Sequence, residues 1–110
     1  MLEVYVVWEP IRDDDNEKAA RDATLNLVDH RARHFWVNDL AISDGFKKPL
    51  GLDKQTAWDV YLLFPPGATW GANPPTPAYF MDMDRSEMPA DRRLNGIKLA
   101  QEIAKLLPAR

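Results

Sequence analysis

The sequence predicts an α/β fold: a mixed β-sheet flanked by helices, in a single domain over residues 1–110. Three observations predict it. Residues 2–8 and 56–64 are rich in β-branched and aromatic side chains and read as strands. Residues 13–30 and 88–110 carry apolar residues at helical spacing. The strand–helix–strand order of the first 37 residues argues for parallel pairing, and a later strand pair makes the sheet mixed.

"LEVYVVW", residues 2–8, is nearly continuous in apolarity. Such a run suits a strand buried on both faces, and Pro10 ends it. In "DDDNEKAARDATLNLVDH" the acidic start, Asp13 to Asp15, offers an N-cap and favourable charge at the positive helix end. Asp14 and Glu17 have the spacing of a capping box. Ala19, Ala20, Ala23, Leu27 and Val28 mark one face, and the small alanines predict close packing on a sheet.

"ARHFWV", residues 32–37, reads as a short strand. Residues 38–52 read as a short or irregular helix punctuated by Gly45, Pro49 and Gly51. "TAWDVYLLF" is the second strong strand, and "PPG" turns the chain after it. "ANPPTP", residues 72–77, is a rigid extended loop. "AYFMDM", residues 78–83, is the far arm of a hairpin with residues 60–64. In the closing helix Leu94, Ile97, Leu99, Ala100, Ile103, Ala104, Leu106 and Leu107 form a broad apolar stripe, and Pro108 stops it.

Hydrophobic residues are 45% of the chain and charged ones 28%, the balance of a globular domain with one modest core. A net charge of −3 leaves no electrostatic footprint for nucleic acid or anionic lipid. Arg92 and Arg93 make only a short doublet that reads as solvated surface. The chain has no cysteine, which excludes disulfides, thiolate metal sites and thiol redox chemistry together. The N-terminal residues lack the basic start and apolar run of a signal peptide. No apolar stretch approaches the roughly 20 residues that span a bilayer. A soluble, cytoplasmic protein with no nucleic-acid or membrane partner and no cofactor is expected.

Three stretches resemble the thioredoxin-like superfamily, most closely the redoxins of thiol–disulfide interchange and peroxide reduction. "LEVYVVWEPIRDDDNEKAARDAT" is similar to the strand after the redox helix with its acidic turn and following helix. "AWDVYLLFPPGATWG" resembles the entry of an apolar strand into a turn, and "LNGIKLAQEIAKLL" resembles the closing amphipathic helix. The preferred register implies that the family's first strand and Cys-x-x-Cys helix would precede Leu2. In a second register Trp8-Glu9-Pro10 stands where the family has Trp-Cys-x-x-Cys. In either register Trp58 and Asp59 stand where the family has a cis-proline, and no proline occurs between Pro49 and Pro65. A non-proline cis bond costs about 3 kcal/mol. No catalytic residue of the family carries over.

The preferred register implies that residues 4–8 and 60–64 pair directly, or that another chain fills the gap, and that an apolar edge and a sheet face are left uncovered. A homodimer that covers this surface is expected.

Trp8, Glu9, Trp58, Asp59 and Trp70 are the candidate site. Glu9 stands at the carboxyl end of a parallel strand, where α/β sheets bind ligands. With Trp58, Asp59 and Trp70 on the same rim, aromatic walls and two carboxylates suit a small cationic or polar ligand, or acid–base chemistry if burial raises one carboxyl. The plain alternative is that the tryptophans fill a core or interface and the acids are solvated. His30 and His34 stand four apart, but Arg31 and Arg33 repel a cation and no third ligand is near. Helix capping or exposure is the expected role, and no metal site is assigned. Asp13, Asp14 and Asp15 lack the spacing of a calcium loop. "GLDKQT" lacks a phosphate-loop spacing, and no Gly-x-Ser-x-Gly occurs. The tryptophans and proline-rich loops also suit protein recognition. The sequence therefore points to a redox-inactive thioredoxin-like module acting by binding or self-association. The alternative is a small hydrolase or isomerase using a carboxylate near Trp58.

Overall fold

The computed structural model describes residues 2–53, 57–83 and 88–107. Its elements are β1 (Val4–Trp8), α1 (Glu17–Ala23), β2 (Ala32–Trp36), α2 (Ala41–Gly45), β3 (Val60–Leu63), β4 (Tyr79–Asp82) and α3 (Gly96–Leu106), with 3₁₀ turns at Thr24–Asn26 and Ala90–Arg92. The protein is a small α/β protein, and its chain divides into two compact units, Met1–Ala41 and Ile42–Arg110. The described strands form a parallel pair, β1–β2, and an antiparallel pair, β3–β4, rather than the single mixed sheet expected. Among the described residues the ladder partner of β1 is β2 and that of β3 is β4. A helical crossover returns β2 to β1, and a hairpin returns β4 to β3, so each ladder closes within its own stretch of chain.

The first unit is a β–α–β crossover. β1 and β2 run in register from Val4 against Ala32 to Trp8 against Trp36. Bonds from Val4 N–H to the Arg31 carbonyl, 3.1 Å, and from Val37 N–H to the Trp8 carbonyl, 2.9 Å, bracket the ladder. Burial alternates along both strands. Val4, Val6 and Trp8 with Ala32, His34 and Trp36 are half-buried, whereas Tyr5, Val7, Arg33 and Phe35 are exposed. This corrects the expectation that β1 is buried on both faces. The unbroken apolar run cannot distinguish the two cases, because period-2 geometry separates the faces whatever the residues are. On the exposed face the Tyr5 and Phe35 rings stack at 6.1 Å, and the Arg33 guanidinium lies 6.0 Å from the Tyr5 ring.

α1 is shorter than residues 13–30. Asn16, not Asp14, is its N-cap, with its side-chain oxygen accepting from Ala19 N–H at 2.8 Å. Asp15 is engaged one step earlier, where its Oδ2 accepts from Arg12 N–H at 2.7 Å. At the far end the Thr24 hydroxyl donates to the Arg21 carbonyl at 2.6 Å, and the chain tightens into a 3₁₀ turn. Leu27 and Val28 therefore lie beyond the helix and are exposed. Ala20 is the buried residue of α1.

The second unit has its core in Phe46, Leu50, Leu52, Ala57 and Met88, with Ile42, Val60, Leu62, Phe64 and Phe80 packed against it. Successive turns after α2 deliver Phe46 and Leu50, with Leu50 N–H donating to the Phe46 carbonyl at 3.1 Å. The hairpin expected from "AYFMDM" forms, pairing Val60 with Asp82 through Leu63 with Tyr79. Of the strand expected over residues 56–64, Thr56 lies outside the described residues, and β3 starts only after Asp59, which sits at φ +53°, outside strand geometry. After β3, Ala68 N–H donates to the Pro65 carbonyl at 3.2 Å, and Gly67 takes φ +82°, the left-handed third position of a type II turn. Met81 and Asp82 are fully buried.

α3 starts after Asn95, whose side chain accepts from Lys98 N–H at 3.0 Å. The predicted stripe is only partly realised. Leu94 precedes the helix, and its N–H donates to the Asp82 carbonyl at 2.6 Å. Ile97 is 76% exposed and so lies off the packed side. Pro108 falls outside the described residues.

Candidate functional site

β1 and β2 end together, and their last residues are both tryptophan. Parallel register places Trp8 beside Trp36 at the carboxyl end of the pair. Glu9 follows Trp8. The loop to α1 returns Asp15 and Asn16, and α1 presents Ala19, Ala20 and Ala23. These eight residues line a shallow cleft of about 80 Å³. Its three alanines explain why it exists. Larger side chains at those positions would fill the space above the indoles.

The Trp8 indole is held at its N–H edge. Its Nε1–H donates to His34 Nδ1 at 3.1 Å, and the two ring planes lie within 12° of each other. His34 Nε2 lies 3.1 Å from the Leu27 carbonyl oxygen. An indole nitrogen only donates and a carbonyl only accepts. His34 therefore carries its proton on Nε2 and accepts at Nδ1, in the neutral form. One imidazole thus ties the last residue of β1 to the segment after α1.

The five expected site residues are divided between the two units. Trp8 and Glu9 line the cleft of the first. Trp58, Asp59 and Trp70 belong to the second. There Trp58 and Asp59 lie just before β3, both exposed, and the Asp59 carbonyl accepts from Met83 N–H at 3.2 Å. Trp70 is 54% exposed and meets Phe46 edge-on at 5.3 Å. Phe46 also meets Phe64, beyond the other end of β3.

His30 and His34 are not on a helix. His34 is in β2, while His30 sits in the preceding turn with its Nδ1 3.8 Å from Asp29. Beside it Asp29 holds Arg31 at 2.8 Å, and these bonds keep the Asp29 carboxyl below the usual carboxylate range. Among the described residues no group of three or more histidine or acidic side chains stands close enough to hold a metal ion. No helix among them is long and apolar enough to cross a membrane.

Asp15, Asn16 and Trp36 in the lining, and His34 bonded to Trp8, are not among the site residues expected from sequence. The signal for Trp36 was present. Two aromatic-ended strands joined by a helical crossover bring their ends together only once the parallel register is known, and that register is a tertiary fact. No protein-family model, curated protein or solved structure matches this chain.

Proposed function

We propose that the chain is a ligand-binding module whose cleft takes a small cationic head group between Trp8 and Trp36. The observation that carries this is the pairing of two tryptophans at the carboxyl end of a parallel strand pair, with Glu9 and Asp15 in the same lining. An indole face attracts a cation, by about 0.5–2 kcal/mol per contact depending on how dry the site is. Acidic residues in the same lining add to that attraction. At about 80 Å³ the cleft is well below the roughly 300–1,000 Å³ that encloses a drug-sized ligand. It suits one methylated ammonium or guanidinium group, with the remainder of the ligand outside.

We further infer that the scaffold is a thioredoxin-like domain without its sulfur chemistry. The order β1, α1, β2, α2, β3, β4, α3 supports the register that sets Trp8-Glu9-Pro10 at the family's Trp-Cys-x-x-Cys turn. In the other register residues 4–8 pair with 60–64, or another chain fills the gap between them. If the Trp8-Glu9-Pro10 register holds, Trp8 and Glu9 of the cleft stand at the family's redox turn. Self-association is the second part of this reading, favoured by the exposed Tyr5, Val7 and Phe35 on the far face of β1–β2. Acid–base chemistry at Asp59 draws less support, because that residue is exposed.

The test is a titration of tryptophan fluorescence with tetramethylammonium chloride against its neutral isostere tert-butanol, at constant ionic strength. The reading expects saturation by the cation with a dissociation constant on the order of 1 mM, weakening as salt is raised. It also expects no saturation by the alcohol and none by the cation in Trp36→Ala. Equal response to both probes, or to neither, overturns it.

A further inference from the structure

We propose that His34 is a positioning residue for the cleft, setting the Trp8 wall in its neutral form and releasing it when protonated. This deepens the binding reading and takes the cleft from it, but the contact itself stands on separate geometry. Trp8 Nε1–H donates to His34 Nδ1 at 3.1 Å, and His34 Nε2 lies 3.1 Å from the Leu27 carbonyl. Both ring nitrogens are therefore committed, and only one tautomer satisfies both partners. A second proton has one place to go, Nδ1. There it meets the indole N–H, donor against donor. The bond is lost, and one ring has to turn away. Leu27 can keep its bond to Nε2, so the movement falls on the Trp8 side, which is the side that forms the cleft.

The two groups His34 touches through hydrogen bonds are neutral, and the charged groups of the surrounding segments are engaged elsewhere. In the turn before β2, Asp29 holds Arg31 and lies near His30. On its own strand Arg33 points to the opposite face, over Tyr5, whose hydroxyl donates to Glu3. On α1, Lys18 pairs with Asp22 and Arg21 with Glu17. Glu9 and Asp15 lie on the cleft side of Trp8. A positive His34 would also oppose a cationic ligand across the indole, so both effects act in one direction. Affinity for a cation is held while His34 is neutral and falls when acidification adds the second proton.

Two readouts on the intact chain test this. The first is the indole N–H resonance of Trp8, assigned by its loss in Trp8→Phe, followed by NMR from pH 8 to pH 5 without ligand. It is expected to shift as His34 takes up its second proton. The second is the tetramethylammonium dissociation constant at pH 7.5 and at pH 5. It is expected to rise about fivefold to tenfold, the scale of one lost hydrogen bond.

In His34→Gln the amide oxygen can accept from Trp8 and the amide N–H₂ can donate to Leu27, with nothing to titrate. This variant is expected to bind at pH 7.5 and to lose both pH effects. His30→Gln, altering an exposed side chain in the turn, is expected to keep both. A Trp8 resonance that does not titrate, or that titrates unchanged in His34→Gln, overturns the proposal. If tetramethylammonium binds no variant at any pH, the binding reading fails and the NMR curve alone decides the role of His34.

Discussion

Filling the cleft from its helical side should stabilise the fold and abolish binding in the same variant. Ala19 is the position for it, because it lines the cleft yet is exposed, so a larger side chain meets open space before it meets the core. Ala20, by contrast, is only 7% exposed and would clash. Ala19→Leu adds three carbons. Fully buried, they would contribute about 0.8 kcal/mol each, or roughly 2.4 kcal/mol in all. The cleft is shallow and open on one side, so half of that, about 1 kcal/mol, is the working figure. Leucine and alanine differ little in helix propensity, so the change reports burial rather than backbone preference. The assay is urea unfolding followed by circular dichroism, paired with the tetramethylammonium titration. With a slope of about 1–2 kcal/mol/M, the midpoint should rise by roughly 0.5–1 M. A lowered midpoint together with unchanged affinity would refute the reasoning, since the leucine would then be crowding packed atoms while leaving the binding site untouched.

Asn16→Ala should cost about 1 kcal/mol through loss of the cap on α1, whereas Asp14→Ala should change stability by less than about 0.5 kcal/mol; both are read from urea midpoints. Met81→Ala should destabilise the protein by about 2–5 kcal/mol, because Met81 is fully buried in β4 and its removal leaves a cavity, again measured by urea unfolding. Asp29 is held below the carboxylate range first by the side-chain hydrogen bond from Arg31. A depressed carboxyl contributes stability above its unfolded pKa near 3.9, and that stability is lost as pH falls below this toward the folded value. Carbon-13 NMR should therefore find Asp29 still ionised where free aspartate is half protonated, and Arg31→Ala should restore ordinary titration.

Periodicity located elements well but could not set their ends or their exposed faces. The β3–β4 hairpin and α3 were legible because alternation and helical spacing are local properties. The cap of α1 was not, because four adjacent residues, Asp13 to Asn16, all have capping side chains. The choice fell to whichever of them the return from Pro10 left facing Ala19 N–H. The early end of α1 was hidden in Thr24, whose hydroxyl competes for a helix carbonyl. "VYVVW" looked buried on both faces because Tyr5 and Val7 are as apolar as Val4 and Val6, although they stand exposed. His34 was read at helical distance from His30, when its chemical partner is Trp8, 26 residues away in sequence. Two of the eight lining residues were legible, Trp8 and Glu9, because strand-end position is a sequence property. Trp36 and Asp15 depended on register and loop closure, which are not.

A double-mutant cycle on Trp8 and Trp36 tests the central claim most directly, with tetramethylammonium affinity as the readout. If the two indoles form one cleft, Trp8→Ala and Trp36→Ala each remove most of the binding, and the double variant binds no worse than either single one. Losses that simply add, or single variants that bind as the parent does, would mean the two rings do not share a ligand.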